Sequence, residues 1–268
     1  MLGPSRTAEF VAVIRALEGQ RADSLFSDPH AQRFLSPPFA LSYRLGRPLR
    51  RALGVWPGLS TYIATRHRWF DDRLQAAIAA GVEHVVILGA GYDSRCLRFP
   101  GPTYWEVDHP STARRKRRIA PHHPANRVDV DFSTQSLAER LSAAGFPRGC
   151  RAFVIWEGVT MYLTRDAIAS TLHTLYDVLG PGSELVFDMM RYPEERDPEA
   201  LSQRLGPLFM PFIGEPLRFW MRPVEVEAFL RQNRWATDEI ADAPDLQRLV
   251  RRRRVYRWVF VVRAVRPG

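Results

Sequence analysis

Apolar residues in the first eighty positions recur at helical spacing. Phe10, Val13, Ile14 and Leu17 fall three and four apart after Thr7-Ala8-Glu9, and Tyr62, Ile63, Trp69, Phe70 and Leu74 do so again before Gly81. Two amphipathic helices are predicted, the second stopping at that glycine. Between them, residues 37–57 are punctuated by proline and glycine and read as loop. From position 83 the period changes. Residues 84–88 form a short continuous apolar run, which is what a strand covered on both faces requires. Residues 103–108, 127–131, 152–156 and 184–188 read as further strands, and segments between them, such as 165–179 before Gly180-Pro181, read as helices. The alternation predicts a doubly wound α/β fold on a parallel sheet. Residues 235–240 and 256–265 read as two late strands that pair with each other at the sheet edge, completing about seven strands.

The stretch 191–223 breaks this rhythm, with six prolines alongside Phe209, Met210, Phe212, Phe219 and Trp220. It is read as a lid inserted after the fifth strand and suited to a flat or greasy acceptor, because a plain linker would not carry so many aromatics. No internal repeat is present. The expected organisation is a single domain: helical cap 1–80, ligand-binding core 81–190, lid 191–223 and closing strands 224–268.

Composition narrows the partners. With 46% apolar and 25% charged residues, the 268-residue chain has the balance of a globular protein. No apolar run approaches the ~20 residues of a membrane span, and residues 1–9 lack an apolar signal core, so neither a membrane nor export is expected. Cys96 and Cys150 provide neither a disulfide framework nor a zinc cluster, which fits a reducing cytoplasm. The net charge of +9 raises the question of a nucleic-acid partner. Lys116 is the sole lysine, however, and such an arginine bias reflects genome composition. The basic runs at 114–118 and 251–254 therefore read as solvated faces, and no nucleic acid is expected. The seven histidines show no metal-ligand spacing, and His122-His123 lies in a loop between prolines, so no metal is expected.

The strongest chemical signal is Ile87-Leu88-Gly89-Ala90-Gly91-Tyr92-Asp93-Ser94-Arg95. A buried strand enters a Gly-x-Gly turn and then a helix, and glycine lets the backbone turn sharply and approach a ligand. Asp93 or Ser94 is placed to cap that helix. Ser94 stands where a dinucleotide fingerprint has its third glycine, which argues against a pyrophosphate on this helix N-terminus. Asp108 ends the second strand about twenty residues on, where a carboxylate takes both ribose hydroxyls. Glu106 competes with it from the same strand face. Asp131 ends the third strand, placed either to meet an adenine amino group or to be a solvated loop aspartate. Glu157 leaves the buried fourth strand at the ligand edge, or else caps the helix beyond.

Four ordered blocks together resemble one family. They are Arg66-His67-Arg68-Trp69-Phe70-Asp71-Asp72, the glycine turn, Trp105-Glu106-Val107-Asp108-His109-Pro110, and Glu157-Gly158-Val159-Thr160-Met161-Tyr162-Leu163. They resemble the leucine carboxyl methyltransferase family and, within it, the bacterial O-methyltransferases of small molecules; Thr7-Ala8, Arg15-Ala16 and Asp28-Pro29 add to the likeness. The resemblance implies a class I methyltransferase sheet of Rossmann-like type, S-adenosylmethionine as cofactor and a small-molecule acceptor. It implies that Arg66 binds the α-carboxylate of the methionyl part, with Gly89 and Gly91 passing beneath that part. It further implies that Asp108 holds the ribose hydroxyls, Asp131 with Phe132 contacts adenine, and Glu157 faces the methionyl ammonium. The charges agree in sign. His67 departs from the family's usual threonine and Phe132 from its common leucine; neither change removes a polar contact.

An activated sulfonium methyl needs mainly alignment for in-line attack. A carboxylate acceptor is ionised at neutral pH and needs no base, whereas a phenol, with a pKa of about 10, would use His109 or His173. No catalytic residue is singled out. Tyr162, Arg191 and Tyr192 are expected to face the substrate. Ser36-Pro37-Pro38-Phe39 mimics the Pro-Pro-aromatic motif of amino-methylating enzymes, but it lies far upstream of strand four and reads as loop. Two alternatives compete. An NAD(P)-dependent oxidoreductase would share the strand, the turn and the ribose acid, although Ser94, Arg66 and Glu157 speak against it. A nucleic-acid-binding protein would use the basic runs on an inert core.

Overall fold

The alternation along β1 (His84–Leu88) sets the layering. Val85 and Ile87 point into one apolar core and Val86 and Leu88 into the other, as successive strand residues must. Both faces are covered, so the strand is apolar from Val85 to Leu88. The structure is a computed structural model and describes residues 5–45, 58–132, 134–192, 216–251 and 253–268.

Before the sheet come α1 (Arg6–Glu18), a 3-10 turn (Ala31–Phe34), α2 (Pro37–Leu45) and α3 (Leu59–Ala79). Ser5 caps α1 by accepting from the Ala8 N–H. Residues 37–45 were expected as loop and are helix instead; Pro37 and Pro38 occupy the first turn, where a missing N–H costs nothing. The Ser36-to-Phe39 motif thus starts a helix.

The core then alternates β1, α4 (Arg95–Arg98), β2 (Thr103–Asp108), α5 (Pro110–Ile119), β3 (Asn126–Asp129), α6 (Leu137–Ala143), β4 (Ala152–Trp156), a 3-10 turn (Thr160–Tyr162), α7 (Arg165–Val178) and β5 (Glu184–Met190). It ends with α8 (Pro223–Gln232), β6 (Ala236–Ala241), α9 (Ala243–Gln247) and β7 (Val259–Val265). The described residues form a seven-stranded sheet in the order β3-β2-β1-β4-β5-β7-β6. The first five strands are parallel, and β7 inserts antiparallel between β5 and β6. The late strands do pair with each other, but β7 also pairs with β5. Strand order reverses at β1 and β4, so their carboxyl ends diverge into a crevice where ligands bind in open α/β sheets.

Helices α6, α7 and α8 cover one face, through Leu141, Leu172 and Phe229 among others; α3 and α9 cover the other, through Phe70, Leu74 and Leu246. Of the expected lid, residues 193–215, with Phe209, Met210 and Phe212, lie outside the described residues. Phe219 is buried against Phe229 in the core that holds Val86 and Leu88, so it packs the sheet and does not wait for an acceptor.

The basic runs are not simply solvated faces. Lys116 is buried, with Nζ 2.7 Å from Glu106 Oε2. Arg115 pairs with Glu9 and Arg117 with Asp129. Arg253 donates to both carboxylate oxygens of buried Glu18, at 2.7 and 2.9 Å, and to the Asp23 carbonyl. Breaking a buried pair strands the remaining charge. Arg253→Ala is therefore expected to cost about 2–3 kcal/mol, with exposed Arg251→Ala staying within about 0.5 kcal/mol. Thermal unfolding checks this: the first variant should melt roughly 5–10 °C lower and the second close to the parent.

Candidate functional site

The β1–β2 register sets Leu88 beside Val107, so Gly89 and Asp108 leave the sheet together. A cavity of about 450 Å³ opens at this edge, lined by residues following β1, β2, β3 and β4 and by the N-terminal part of α1. Arg66, Gly89, Gly91, Asp108, Asp131, Phe132 and Glu157 all line it, as does Tyr162. Seven positions spread over 92 residues of sequence thus meet at one cavity. Arg191 and Tyr192 do not line it. The Arg191 N–H is bonded to the Trp258 carbonyl, which keeps this end of β5 running alongside β7, and Tyr192 is half exposed.

The turn itself is backbone-limited. Gly89 has φ +64°, and a Cβ there would lie 2.4 Å from Val159 Cγ2. The Gly91 N–H donates to Asp108 Oδ2 at 2.5 Å and the His109 N–H to Oδ1 at 2.6 Å. Burial pushes the Asp108 carboxyl up to about 6 even though both N–H groups pull it down. Glu106, its competitor, is consumed elsewhere: Lys116 holds one oxygen, and His123 Nε2 lies 2.6 Å from the other. Strand β3 ends at Asp129, two residues before Asp131; Phe132 is 49% exposed on the cavity wall, a flat apolar surface.

Arg66 projects from α3 and donates from Nε to Glu157 Oε1 at 3.0 Å and from a terminal nitrogen to Asp188 Oδ2 at 2.7 Å. Glu157 Oε2 accepts from Arg95 at 2.7 Å. Arg95 is fully buried and also reaches Asp71 at 2.7 Å and Asp93 at 2.5 Å. Burial alone would raise the Glu157 carboxyl, but Arg95, His67 and Arg66 hold it well below the usual carboxylate range. His67 fills the gap between Glu157, Arg95 and Arg98, with Arg98 donating 2.7 Å from its Nε2. Burial and then Arg95 depress its pKa. An imidazole at this position is therefore part of a polar lattice, which a threonine is too short to span.

Sequence reasoning missed several of these groups. Asp188 interrupts the apolar residues 185–190 of β5, and that break in pattern is the available signal. Arg95 lies within the glycine motif, directly after the capping candidates Asp93 and Ser94. Arg15 and Thr7, from α1, line the cavity; Arg15 pairs with Asp28 and donates to the Tyr92 carbonyl at 2.6 Å. The histidine spacing also did not foretell that Cys96, Glu106 and His123 bring ligand-type atoms within 4.8 Å of one another. Burial pushes the Cys96 thiol up to about 12, and the Lys116 ammonium already neutralises Glu106, so hydrogen bonding accounts for this cluster.

The sequence profile described as leucine carboxyl methyltransferase matches residues 8–176. The chain belongs to that family. A Parafrankia relative, named an S-adenosyl-L-methionine-dependent methyltransferase, is 32% identical over 89% of this chain and 78% of its own length. A Streptomyces coelicolor relative of the same name is 36% identical over 67% of this chain and 66% of its own. In fold, the chain is similar to a Bacillus halodurans protein named as a methyltransferase, with TM-score 0.50, 15% identity, and 74% of this chain and 99% of that one covered. The fold is thus the class I methyltransferase sheet, and the cofactor of this methyltransferase is S-adenosylmethionine. Family membership replaces hydride transfer with methyl transfer. The donor set fits the cofactor: a guanidinium and two carboxylates share a cavity with a glycine-tight backbone turn, matching a zwitterion, a ribose and a close approach.

The steric and conformational demands at Gly89 are separable. Gly89→Ala is expected to cost about 1–3 kcal/mol, because a left-handed backbone and the Val159 clash act together. Adding Val159→Ala should restore only part of the loss, since the clash goes and the positive φ stays. Full recovery of the melting temperature would contradict the backbone argument.

Proposed function

We propose that this methyltransferase methylates an oxygen of a small-molecule acceptor, either a carboxylate, giving a methyl ester, or a hydroxyl. The cofactor end of this reading rests on the Arg66–Glu157 pair facing the same cavity as Asp108, and the acceptor oxygen on the family's description. Two of the five N–H donors of Arg66 are engaged by carboxylates, which leaves donors for the cofactor's α-carboxylate. Glu157, ionised and at the cavity wall, suits the ammonium beside it. Asp108 receives the ribose hydroxyls, Asp131 and Phe132 the adenine, and the turn through Gly89 and Gly91 lets the methionyl part pass close to backbone. When bound, the cofactor supplies a methyl group already activated by the sulfonium. The chain's task is then to exclude water and to hold an acceptor oxygen in line.

The family's name points to a carboxyl oxygen as acceptor. A carboxylate arrives ionised and needs no base. For a hydroxyl acceptor His109 is the suited base, because it lines the cavity, whereas His173 is exposed on α7 away from it. Tyr162 lines the acceptor side, and Arg191 and Tyr192 drop out of the proposed site. The internal pairing of both basic runs favours a small molecule over a nucleic acid as partner.

Mass spectrometry of a panel of carboxylic and phenolic metabolites incubated with S-adenosylmethionine tests the reaction class. A one-methyl gain on an oxygen is expected, cleaved by mild base where it is an ester. Transfer confined to amine or thiol acceptors would overturn the reading.

Asp108 makes the binding step pH-dependent. Its carboxyl is raised in the fold, so the cofactor-free protein keeps the proton to about pH 6 and loses it above. Folding then takes up a proton between the usual carboxylate range and about 6, and this group's contribution to stability falls as pH rises through that window. Ribose hydroxyls need the ionised form as acceptor. Affinity for S-adenosylhomocysteine should therefore drop roughly tenfold from pH 7 to pH 5, with proton release on binding. Asp108→Asn should bind more weakly and show a flat profile, as read by calorimetry in two buffers.

A further inference from the structure

Asp188 is fully buried in β5 and is not among the residues lining the cavity. A carboxylate buried in an apolar strand needs partners, and its partners come from two other elements. Oδ2 accepts from Arg66 at 2.7 Å and from the Tyr62 hydroxyl at 3.1 Å. Oδ1 accepts from the Gly158 N–H at 2.6 Å, and the Asp188 carbonyl accepts from Thr160 Oγ1. Tyr62 and Arg66 lie four residues apart on α3, on one face of the helix. Gly158 and Thr160 belong to the exit from β4, immediately after Glu157. Gly158 has φ +70°, and a Cβ there would lie 3.3 Å from the Arg66 guanidinium. Burial and then the Asp188 charge raise the Tyr62 hydroxyl well above its usual pKa, so it remains a donor.

We propose that Asp188 is the positioning residue for Arg66, holding its guanidinium at the angle that receives the cofactor's α-carboxylate. Arginine is long and flexible, and a single partner does not fix its fork. Glu157 cannot do this alone, because the cofactor's ammonium competes for the same carboxylate. Asp188 stands behind the cavity wall, beyond the ligand, and keeps its hold when the cofactor arrives. Without the Asp188 charge, Arg66 has Glu157 as its nearest anion. It would then close onto Glu157 in a bidentate pair, which blocks both halves of the zwitterion site at once. This inference rests on the assignment of Arg66 to the cofactor carboxylate.

The test compares two ligands by calorimetry. S-adenosylhomocysteine carries the amino-acid end, and 5′-methylthioadenosine carries the same nucleoside without it. Asp188→Asn keeps the shape and the hydrogen bond from Gly158 but removes the charge. It should weaken S-adenosylhomocysteine at least tenfold and change methylthioadenosine less than twofold. Equal losses for both ligands would mean a merely structural role and overturn the proposal, as would no loss for either. If Asp188→Asn does not fold, Tyr62→Phe supplies the same comparison, with a two- to fivefold loss expected for S-adenosylhomocysteine alone; equal losses or none again overturn it. Arg66→Gln separates the two layers of the argument. If Arg66→Gln leaves the ratio of the two affinities at the parent value, the Arg66 assignment itself is wrong. If it lowers S-adenosylhomocysteine selectively while Asp188→Asn does not, only the positioning role fails.

Discussion

The site depends on a guanidinium held out of water. Arg95 is fully buried and donates to Asp71, Asp93 and Glu157, and each of those carboxylates is itself largely buried. Removing such charges from solvent is costly, and the mutual attraction offsets that cost only where every donor and acceptor is matched. Here the pairing continues outward through His67 and Arg98 on one side, where only the Arg98 Nε lacks a partner, and Arg66 and Asp188 on the other. Three guanidiniums, Arg66, Arg95 and Arg98, face four carboxylates, Asp71, Asp93, Glu157 and Asp188, and the imidazole among them has a depressed pKa. The cluster carries one more anion than it neutralises. That bias suits a cofactor bearing a sulfonium, whose net charge is positive, and it disfavours an anionic dinucleotide.

Much of the frame was legible because it rests on local periodicity. The predicted bounds of β1, β2 and β4 coincide with the observed ones, since a short apolar run between turn residues leaves little choice. Strand β5 runs two residues further than read, because Met189 and Met190 continue the apolar pattern without being β-branched. Gly89, Gly91, Asp108 and Glu157 are likewise marked by strand ends and a glycine turn, which are local features, whereas Arg66 and Phe132 enter only through the family resemblance. Asp188 and Arg95 were not read because their partners are remote: Arg66 lies 122 positions from Asp188, and Glu157 lies 62 from Arg95. A single sequence shows that an aspartate interrupts a strand, but only the packed sheet shows which arginine answers it.

The basic run on α5 shows how a charge pattern misleads. Five consecutive cations at about 100° per residue go all the way round a helix, so one of them must face inward wherever that helix packs on a sheet. Lys116 is that residue, and it is the sole lysine in the chain. Its ammonium is a compact point donor that meets Glu106 and the Asp93 carbonyl, each at 2.7 Å. A planar guanidinium of wider fork would have to displace one of them. The arginine bias of the chain is thus broken where geometry calls for the smaller cation. Through the Asp93 carbonyl, the same contact also steadies the turn that leads into Arg95 at the start of α4.

The sheet edge and the surrounding segments divide the remaining work. Apart from α3 and residue 188, the charged lattice comes from the turn and the short helix α4 after β1 and from the turn after β4, so it serves the end of the cavity assigned to the cofactor. The other walls come from outside the sheet. Ser5 contributes from the cap of α1, Thr7, Ala8 and Val11 from the helix itself, and Pro216 and Arg218 from the stretch that follows residues 193–215. That stretch is docked by backbone: the Arg218 and Phe219 N–H groups both point to the Met161 carbonyl, and the Met221 N–H bonds to Met190. Arg218 is an exposed cation on the cavity wall beside the Tyr162 turn, whereas Arg66 and Arg95 are buried and bound to carboxylates. A guanidinium still in contact with water can exchange that hydration for an anion at little net cost. One already paired in the interior cannot, because its present partner would be left uncompensated. Sequence change is therefore better tolerated in α1 and the 216–218 wall than in the lattice behind Glu157, where each lost charge leaves a buried partner uncompensated.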